Sequence, residues 1–407
     1  MKYGLLGYPL SHSYSPKIHS KFGSYPYELF EVEPSALDDF FANSDFSGIN
    51  VTAPYKKEVM AYCDELTPCA KSVGCVNTII RDKNGKLIGH NTDYYGFSYM
   101  LNTSGISVRG KKVLVLGSGG AASTVFTVLT EMGATPIIIS RTGENNYATL
   151  DQHKDAVAIV NATPVGMYPD TLVALVNPAQ FPNLVAVLDL IYNPARTKLL
   201  IEAESLGIIT VNGLGMLVAQ AKQSAEWFID TKIPDETIQS VQQDLIRESA
   251  NIILVGMPGC GKSTIGRKLA EQMQRVFVDL DEVIATQYGV SPAEMIQSLG
   301  EDYFRQVEST VIKEYGKRSS LVIATGGGCV TRPENYAPLH QNGTIIWLQR
   351  DINLLETQGR PLSTNTNLSQ LYCVRQPMYA RYSDFQVSNN GSVDKTVAAI
   401  LLLEGIS

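Results

Sequence analysis

The chain has 407 residues, 44 % of them hydrophobic and 18 % charged, and a formal net charge of −7. That length holds two or three domains, each able to bury a core of its own. No apolar run is long enough to span a membrane, residues 1 to 10 lack a signal-peptide layout and no basic tract occurs, so neither a membrane nor nucleic acid is an expected partner.

The mostly apolar residues 2 to 7 end at Gly7 and predict a short strand. The loop behind it reads Ser11-His12-Ser13-Tyr14-Ser15-Pro16. Proline at a helix start with hydroxyls before it predicts an N-cap, and three serines equally suit a hydroxyl-rich anion cradle. Alternating residues at 27–32 and 48–51 predict two more strands, with a helix over 34–42 between them. The second of these runs into Asn50-Val-Thr52-Ala-Pro54-Tyr-Lys56, where a lysine taken alone reads as a solvated first-turn residue. Val76-Asn77-Thr78 and His90-Asn91-Thr92-Asp93 place polar groups at strand ends. Ligand groups commonly sit there, and so do ordinary Asx and Ser/Thr turns.

From Gly110 the pattern changes. Val113 to Leu116 leads into Gly117-Ser118-Gly119-Gly120-Ala121-Ala122, a helix to about Met132, and a second strand at Pro136 to Ile139. This βαβ unit carries G-x-G-x-x-A at its first turn, a form of the dinucleotide fingerprint. Ser140 and Arg141 follow the second strand, where an NAD site places an acid; a cation suits the 2′-phosphate of NADP. Strands at 158–160, 185–190 and 208–211 continue a doubly wound pattern, and Gly213 opens an amphipathic helix to about Phe228. Residues 231–250 read as a further helix and linker.

Residues 251 to 266 read NIILVGMPGCGKSTIG. An apolar strand enters G-x-x-x-x-G-K-[ST], Gly256 to Ser263, and a helix follows. The glycines let backbone N–H groups turn inward around phosphate oxygens, so Gly259, Cys260, Gly261, Lys262, Ser263 and Thr264 form the expected cradle for ATP. Lys262 can reach the β- and γ-phosphates and the Ser263 hydroxyl can ligate Mg2+. Such a strand normally opens its domain, so the preceding residues form something else. A strand at Val276 ends in Asp279-Leu-Asp281, offering one carboxylate to magnesium and one to a substrate hydroxyl, or N-capping by Asp281 alone. Phe304-Arg305 lies on a helix where the arginine could simply pair with an acid. The strand 321–324 ends in Thr325-Gly326-Gly327-Gly328, which suggests close approach of backbone to a ligand or a flexible turn. Gly359-Arg360-Pro361-Leu362 reads as a lid, and Arg375-Gln-Pro-Met-Tyr379 as the start of a helix. The six cysteines form no C-x-x-C pair and read as free thiols of a reducing cytoplasm.

SHSYSP, NVTAPYK, CVNT, NTD, GSGGAA, SRT, NATPVGM, DLIYNP and GLGMLVAQ occur in the order found in shikimate dehydrogenases. Residues 1 to about 245 resemble that family. The resemblance implies an α/β substrate domain over 1–100, with the helices near 215–245 returning to it, and a Rossmann NADP-binding domain over 101–230. It implies that Lys56 and Asp93 form the catalytic pair, Lys56 giving a proton as hydride arrives from NADPH. Ser13 and Ser15 would bind the substrate carboxylate, with Thr52, Asn77, Tyr192 and Gln220 at the carboxylate or ring hydroxyls. Gly117, Ser118, Gly119, Gly120 and Ala121 would hold the pyrophosphate, Arg141 the 2′-phosphate, and Gly213 would lie near the nicotinamide. Two departures are His90, where the family usually has aspartate, and the lack of a second arginine soon after Arg141.

From 251 to the C-terminus the set G-x-x-G-x-G-K-S-T, D-x-D, F-R, G-G-G, R-P-L and R-x-P-x-Y resembles shikimate kinase, a P-loop α/β domain like the nucleoside-monophosphate kinases. It implies that Asp281, Arg305, Gly327 and Arg375 bind shikimate and that Ser263 and Asp279 hold Mg2+. Lys262 and the lid residue Arg360 would stabilise the transferring phosphoryl group, and Asp281 would orient the reacting hydroxyl. The lid is poor in basic residues, and Ser388-Asn-Asn-Gly391 replaces an arginine often found near the adenine. Together the halves imply a bifunctional enzyme using NADP(H), ATP and Mg2+ on small-molecule substrates, with a homo-oligomer compatible. A quinate-reducing first half and a regulatory protein that binds without turnover are the alternatives.

Overall fold

The computed structural model describes residues 2–10, 13–356 and 368–403. The chain divides into two compact units: Met1–Val165 with Val173–Tyr192 and Leu199–Gln242, and Gly166–Leu172 with Asn193–Lys198 and Gln243–Ser407. The boundary after Gln242 falls inside the helix Glu236–Ser249.

The first unit holds two sheets. One contains β1 (Tyr3–Gly7), β2 (Tyr27–Glu31), β3 (Gly48–Val51), β4 (Glu65–Leu66), β5 (Thr78–Arg81) and β6 (Leu87–His90), in the order β2-β1-β3-β5-β6-β4. β1 pairs in parallel with β2 and β3, and β5 runs antiparallel to β3 and β6. This hairpin brings Asn77, just before β5, beside Asn91 and Thr92, just after β6. Helices α1 (Ser15–Phe22), α2 (Leu37–Asn43) and α3 (Pro68–Val73) belong to this part. The apolar alternation becomes a core of Leu6, Ile49, Val51, Tyr55, Val76 and Ile79. Each such side chain is worth roughly 1.5–3 kcal/mol when fully buried.

α4 (Asp93–Thr103) leads to the second sheet: β7 (Lys112–Leu116), β8 (Thr135–Ile139), β9 (Ala158–Asn161), β10 (Ala186–Asp189) and β11 (Ile209–Val211). It is wholly parallel, in the order β11-β10-β9-β7-β8. β7 carries β8 on one side and β9 on the other, so the glycine loop leaves the sheet at its switch point, where ligands of open α/β sheets bind. α5 (Gly120–Glu131) follows that loop, and α6 (Lys198–Ser205), α7 (Leu214–Ile229) and α8 (Glu236–Ser249) come later. α7 packs closely along α4: a Cβ on Gly96 would stand 2.7 Å from the Met216 carbonyl oxygen, so only glycine allows the crossing.

The second unit is a five-stranded parallel sheet of β12 (Asn251–Val255), β13 (Val276–Asp279), β14 (Leu321–Ala324), β15 (Gly343–Gln349) and β16 (Phe385–Ser388), ordered β13-β14-β12-β15-β16. Its helices are α9 (Lys262–Met273), α10 (Leu280–Tyr288), α11 (Pro292–Leu299), α12 (Glu301–Gly316), α13 (Tyr336–His340), α14 (Leu368–Tyr382) and α15 (Val393–Leu401). Central β12 is buried along its whole length, as its unbroken apolar run requires.

Three local expectations are corrected. No described side chain caps α1; the Ser13 hydroxyl instead accepts the Ser15 N–H at 3.2 Å, and Tyr14 occupies the cap position with helical dihedrals. Asp279, not Asp281, caps α10, accepting the Asp281 N–H at 3.1 Å. Arg375 does not begin a helix but sits in the middle of α14, which opens about two turns earlier at Leu368 and tolerates Pro377 inside it.

Candidate active sites

In the first unit Lys56 lies in the turn after β3, and its Nζ meets Asp93 Oδ2 at 2.5 Å at the start of α4. The lysine side chain is 22 % exposed and the aspartate 8 %. Burial opposes the ammonium charge, but attraction and hydrogen bonding from Asp93 outweigh it and hold the lysine above its ordinary pKa. Lys56 is therefore an ammonium throughout the neutral range, kept charged by its partner.

Behind this pair is a buried polar network. Asn77 Nδ2 donates to Thr92 Oγ1 at 3.0 Å and Asn77 Oδ1 accepts the Thr92 N–H at 2.7 Å, which sets the turn that aims Asp93. Thr92 Oγ1 also lies 3.4 Å from Gln220 Oε1 on α7. Asn50 Nδ2 donates to Ser224 Oγ at 2.7 Å, and Tyr27 donates its hydroxyl to Asn50 Oδ1 at 2.7 Å. Tyr27 in turn bonds the Ser15 side chain, so the hydroxyl cradle joins the same network. Ser224 touches Thr78 and Thr92 as well, at 2.9 and 3.0 Å. Asn50, Thr78, Thr92 and Ser224 were assigned no role from the sequence. The first three stand inside motifs quoted above, whereas Ser224, one helical turn beyond Gln220, had no signal of its own.

Thr52 is placed at the end of β3 with its methyl over Gly7, where a Cβ would stand 2.4 Å away. Tyr192 packs its ring against Tyr14 at 5.3 Å between centroids. His90 is 4 % exposed, its ring lies 4.0 Å from that of Trp227, and burial lowers its pKa to about 4. It is neutral and plays no part in the Lys56–Asp93 contact. A cavity of about 590 Å³ opens beside His90, Trp227, Tyr95 and Gln223. Neither Lys56 nor Asp93 lines it, so the cavity is separate from their contact.

The dinucleotide loop meets this site from the second sheet. Gly117 has φ +113°, reserved in practice for glycine, with the Ala162 carbonyl oxygen 3.0 Å from where its Cβ would be. Gly119 and Ser118 are exposed, and α5 begins at Gly120, whose Cβ would lie 3.7 Å from Lys56 Cβ. An anion at this helix start, with Ala121 in its first turn, would lie beside Lys56. Arg141 is exposed just past β8, with no hydrogen bond or ion pair from its guanidinium among the described residues, as a phosphate-seeking cation requires. Gly213 crosses β10's exit so tightly that a Cβ would fall 2.0 Å from the Leu190 carbonyl oxygen. These residues fit NADP(H).

In the second unit Gly256, Gly259 and Gly261 have φ of +148°, +78° and +95°, which curls the loop between β12 and α9. Lys262 Nζ rests on the Gly256 and Met257 carbonyl oxygens at 3.0 and 3.1 Å. Ser263 Oγ donates to Asp279 Oδ2 at 2.6 Å. A hydroxyl and a carboxylate side by side at a phosphate loop fit Mg2+, which takes few protein oxygens and keeps water and phosphate for the rest. Thr264 is exposed behind them.

Next to that loop is a buried charged cluster. Arg305 is 5 % exposed and donates to Glu301 at 2.9 Å and to Glu308 at 2.7 Å. Glu308 is fully buried; burial raises its pKa, Arg305 opposes this, and Asp281 adds to it. Glu308 was missed in the sequence, although it lies one turn after Arg305. Its Oε1 and the Nε of Arg375 are both buried without partners among the described residues, an unmet demand that a polyhydroxy carboxylate would satisfy. Each glycine of the triplet has its own reason. A Cβ on Gly326 would stand 2.2 Å from Glu308 Oε1, one on Gly327 2.6 Å from Pro258 Cδ, and one on Gly328 2.0 Å from Arg305 Nη2. The Gly327 carbonyl oxygen accepts Arg375 Nη1 at 3.3 Å and the Tyr379 hydroxyl at 2.5 Å. Arg360 lies outside the described residues.

Residues 5–79 match the family model described as the shikimate dehydrogenase substrate binding domain, and residues 258–404 match that for shikimate kinase. The NADP(+)-dependent shikimate dehydrogenase of Alkaliphilus oremlandii is 36 % identical over 269 residues, covering 58 % of this chain and 94 % of that one. The chain belongs to the shikimate dehydrogenase family. A shikimate kinase domain is fused behind that part. A crystal structure of shikimate dehydrogenase 1 from Peptoclostridium difficile superposes with TM-score 0.57 at 35 % identity, over 60 % of this chain and 97 % of that one. The Thermus thermophilus shikimate 5-dehydrogenase in complex with NADP(H) and shikimate gives 0.54 at 30 % identity, over 60 % and 99 %. No helix among the described residues is long and apolar enough to cross a membrane.

Proposed function

We propose that the chain catalyses two consecutive reactions: reduction of 3-dehydroshikimate to shikimate, and phosphorylation of shikimate to shikimate 3-phosphate. The pairing of the two family matches in one chain carries this reading, since one site makes what the other consumes. NADPH supplies hydride to the first reaction and MgATP the phosphoryl group to the second.

In the first site Lys56 holds its ammonium against the substrate carbonyl oxygen and transfers a proton to it as the carbon is reduced; solvent then restores the lysine proton. Asp93 aims the amine and keeps it charged. Ser13 and Ser15 bind the carboxylate, with Thr52, Asn77, Tyr192 and Gln220 on the carboxylate or ring hydroxyls. In the second site Arg305 and Arg375 take the carboxylate, Gly327 lends backbone, and Asp281 orients the reacting hydroxyl and accepts its proton. Lys262 and Arg360 offset charge on the transferring group, and Ser263 with Asp279 holds the metal. Six unpaired cysteines fit a reducing compartment, and we assign the cytoplasm.

One coupled assay tests the reading. Given 3-dehydroshikimate, NADPH and MgATP, the chain should oxidise NADPH and convert ATP to ADP in equal amounts and accumulate shikimate 3-phosphate. NADPH oxidation with 3-dehydroquinate only, or ATP consumption that does not depend on shikimate, would overturn it.

A further inference from the structure

The segment Ser388-Asn389-Asn390-Gly391, between β16 and α15, stands where an arginine is expected to face the adenine. Asn389 is employed elsewhere. It is 3 % exposed, and both ends of its carboxamide are used. Nδ2 donates to the Cys260 carbonyl oxygen at 2.7 Å, and Oδ1 accepts the Thr396 hydroxyl of α15 at 2.8 Å. Its own N–H is tied to the Gln349 carbonyl oxygen at 2.6 Å, at the end of the sheet. The approach is close: a Cβ on Gly261 would stand 2.7 Å from Asn389 Nδ2. The neighbouring Asn390 is also committed, its Oδ1 accepting the Asp351 N–H at 2.9 Å.

A phosphate cradle presents N–H groups, so its carbonyl groups must point elsewhere and find partners there. The C=O and N–H of one trans peptide point in opposite directions. Cys260 is fully buried, so water is not the partner. By holding the Cys260 carbonyl, Asn389 turns the Gly261 N–H away from itself, toward the side where the triphosphate is expected. Gly261 also begins α9, whose positive end adds to the same site.

We propose that Asn389 is a positioning residue of the second unit, anchoring the phosphate-binding loop through the Cys260–Gly261 peptide and reading no part of the base. The proposal rests on the reading of this unit as an ATP-dependent kinase. The full chain and its Asn389→Ala and Thr396→Val variants should be compared for KM of MgATP, MgGTP and shikimate, and for calorimetric binding of magnesium tripolyphosphate, which has no base. Losing one or two hydrogen bonds predicts that Asn389→Ala raises both nucleotide KM values about 5–10-fold and weakens tripolyphosphate by the same factor. kcat and the shikimate KM should stay within about twofold, and Thr396→Val should act in the same direction with a smaller factor, because the carboxamide stays but loses one anchor. An effect on ATP that spares GTP and tripolyphosphate, or no effect from either variant, overturns the proposal. If Asn389→Ala fails to fold, shown by loss of its cooperative melting transition, Thr396→Val carries the test. If the unmutated chain transfers no phosphoryl group to shikimate, the function fails instead, while tripolyphosphate binding still decides the role of Asn389.

Discussion

Lys56 shows how one contact changes the chemistry of a common residue. An exposed lysine in a turn is a solvated cation; with Asp93 at 2.5 Å it becomes a held proton donor. Lys56→Ala should therefore lower kcat for reduction by about 10²–10⁴-fold while substrate binding weakens much less. A variant that loses only affinity would make Lys56 a binding group. Because Asp93 raises the lysine pKa, the reduction should show no lysine-dependent fall with rising pH across the neutral and mildly alkaline range. Arg141 is the opposite case, exposed and free of polar partners in the described structure. A charge-assisted contact to phosphate is worth roughly 1.5–3 kcal/mol, so Arg141→Ala should reduce the preference for NADPH over NADH about tenfold or more. Equal kcat/KM for the two cofactors in the unmutated chain would remove the role assigned to it.

At the scale of elements, α7 matters more than its amphipathic pattern suggests. It follows the Rossmann sheet, yet delivers Gln220 and Ser224 to the polar network of the first sheet. Ser224→Ala leaves the Asn50 amide and two threonine hydroxyls each short of a partner, at a cost of about 1–3 kcal/mol. The dehydrogenase KM should rise, and Ser224→Thr, which restores the hydroxyl, should recover part of it; no change in either variant would show the knot to be idle. The turn after β14 makes a sharper demand. Gly328→Ala would drive a methyl into Arg305, so the shikimate KM of the kinase should rise about tenfold or more with the MgATP KM little changed. An unchanged shikimate KM would mean that Arg305 yields freely and does not set that site. The strands of the Rossmann sheet, the two glycine loops and the extents of α2, α5 and α7 were legible because period and punctuation are local, whereas β4, β15 and β16 were not foreseen. α14 was not: Asn367, a good N-cap residue type just before Leu368, went unused as a start signal, and Pro377 inside the helix suggested a boundary.

At the scale of the whole molecule, the two units have cores with no residue in common. Asp281→Asn should abolish phosphoryl transfer and leave NADPH oxidation within about twofold, and Lys56→Ala should do the converse; cross-effects would reveal coupling between the halves. Stability should also depend on pH through two buried histidines of the first unit. Burial lowers His19 to about 3 and His90 to about 4. Below their unfolded value of about 6.5 the unfolded chain binds protons that the folded chain refuses, so stability is complete above that pH and lost as pH falls toward 4. The slope approaches about 1.4 kcal/mol per pH unit for each histidine. Urea unfolding of a Trp347→Phe chain, followed by Trp227 fluorescence between pH 7 and 5, should show it, and His19→Phe should roughly halve it. A slope untouched by that change would place the protons elsewhere.

The sequence alone determined both nucleotide loops, the strands that enter and follow them, and the charged residues at strand ends, because glycine spacing, apolar period and loop position are properties of neighbouring residues. The family resemblance also paired Lys56 with Asp93, set Ser263 and Asp279 together and aimed Lys262 at phosphates, but left the partner of Arg305 open. Only the tertiary structure decided the remaining partners: Ser224 for Asn50, Glu308 for Arg305, Asn389 for Cys260. Ser224 lies 174 residues from Asn50, and Asn389 lies 129 residues from Cys260. No local pattern encodes such a pair. Each is a buried polar group satisfied by whatever the sheet order brings beside it, and that order is set by the burial of many apolar side chains at once.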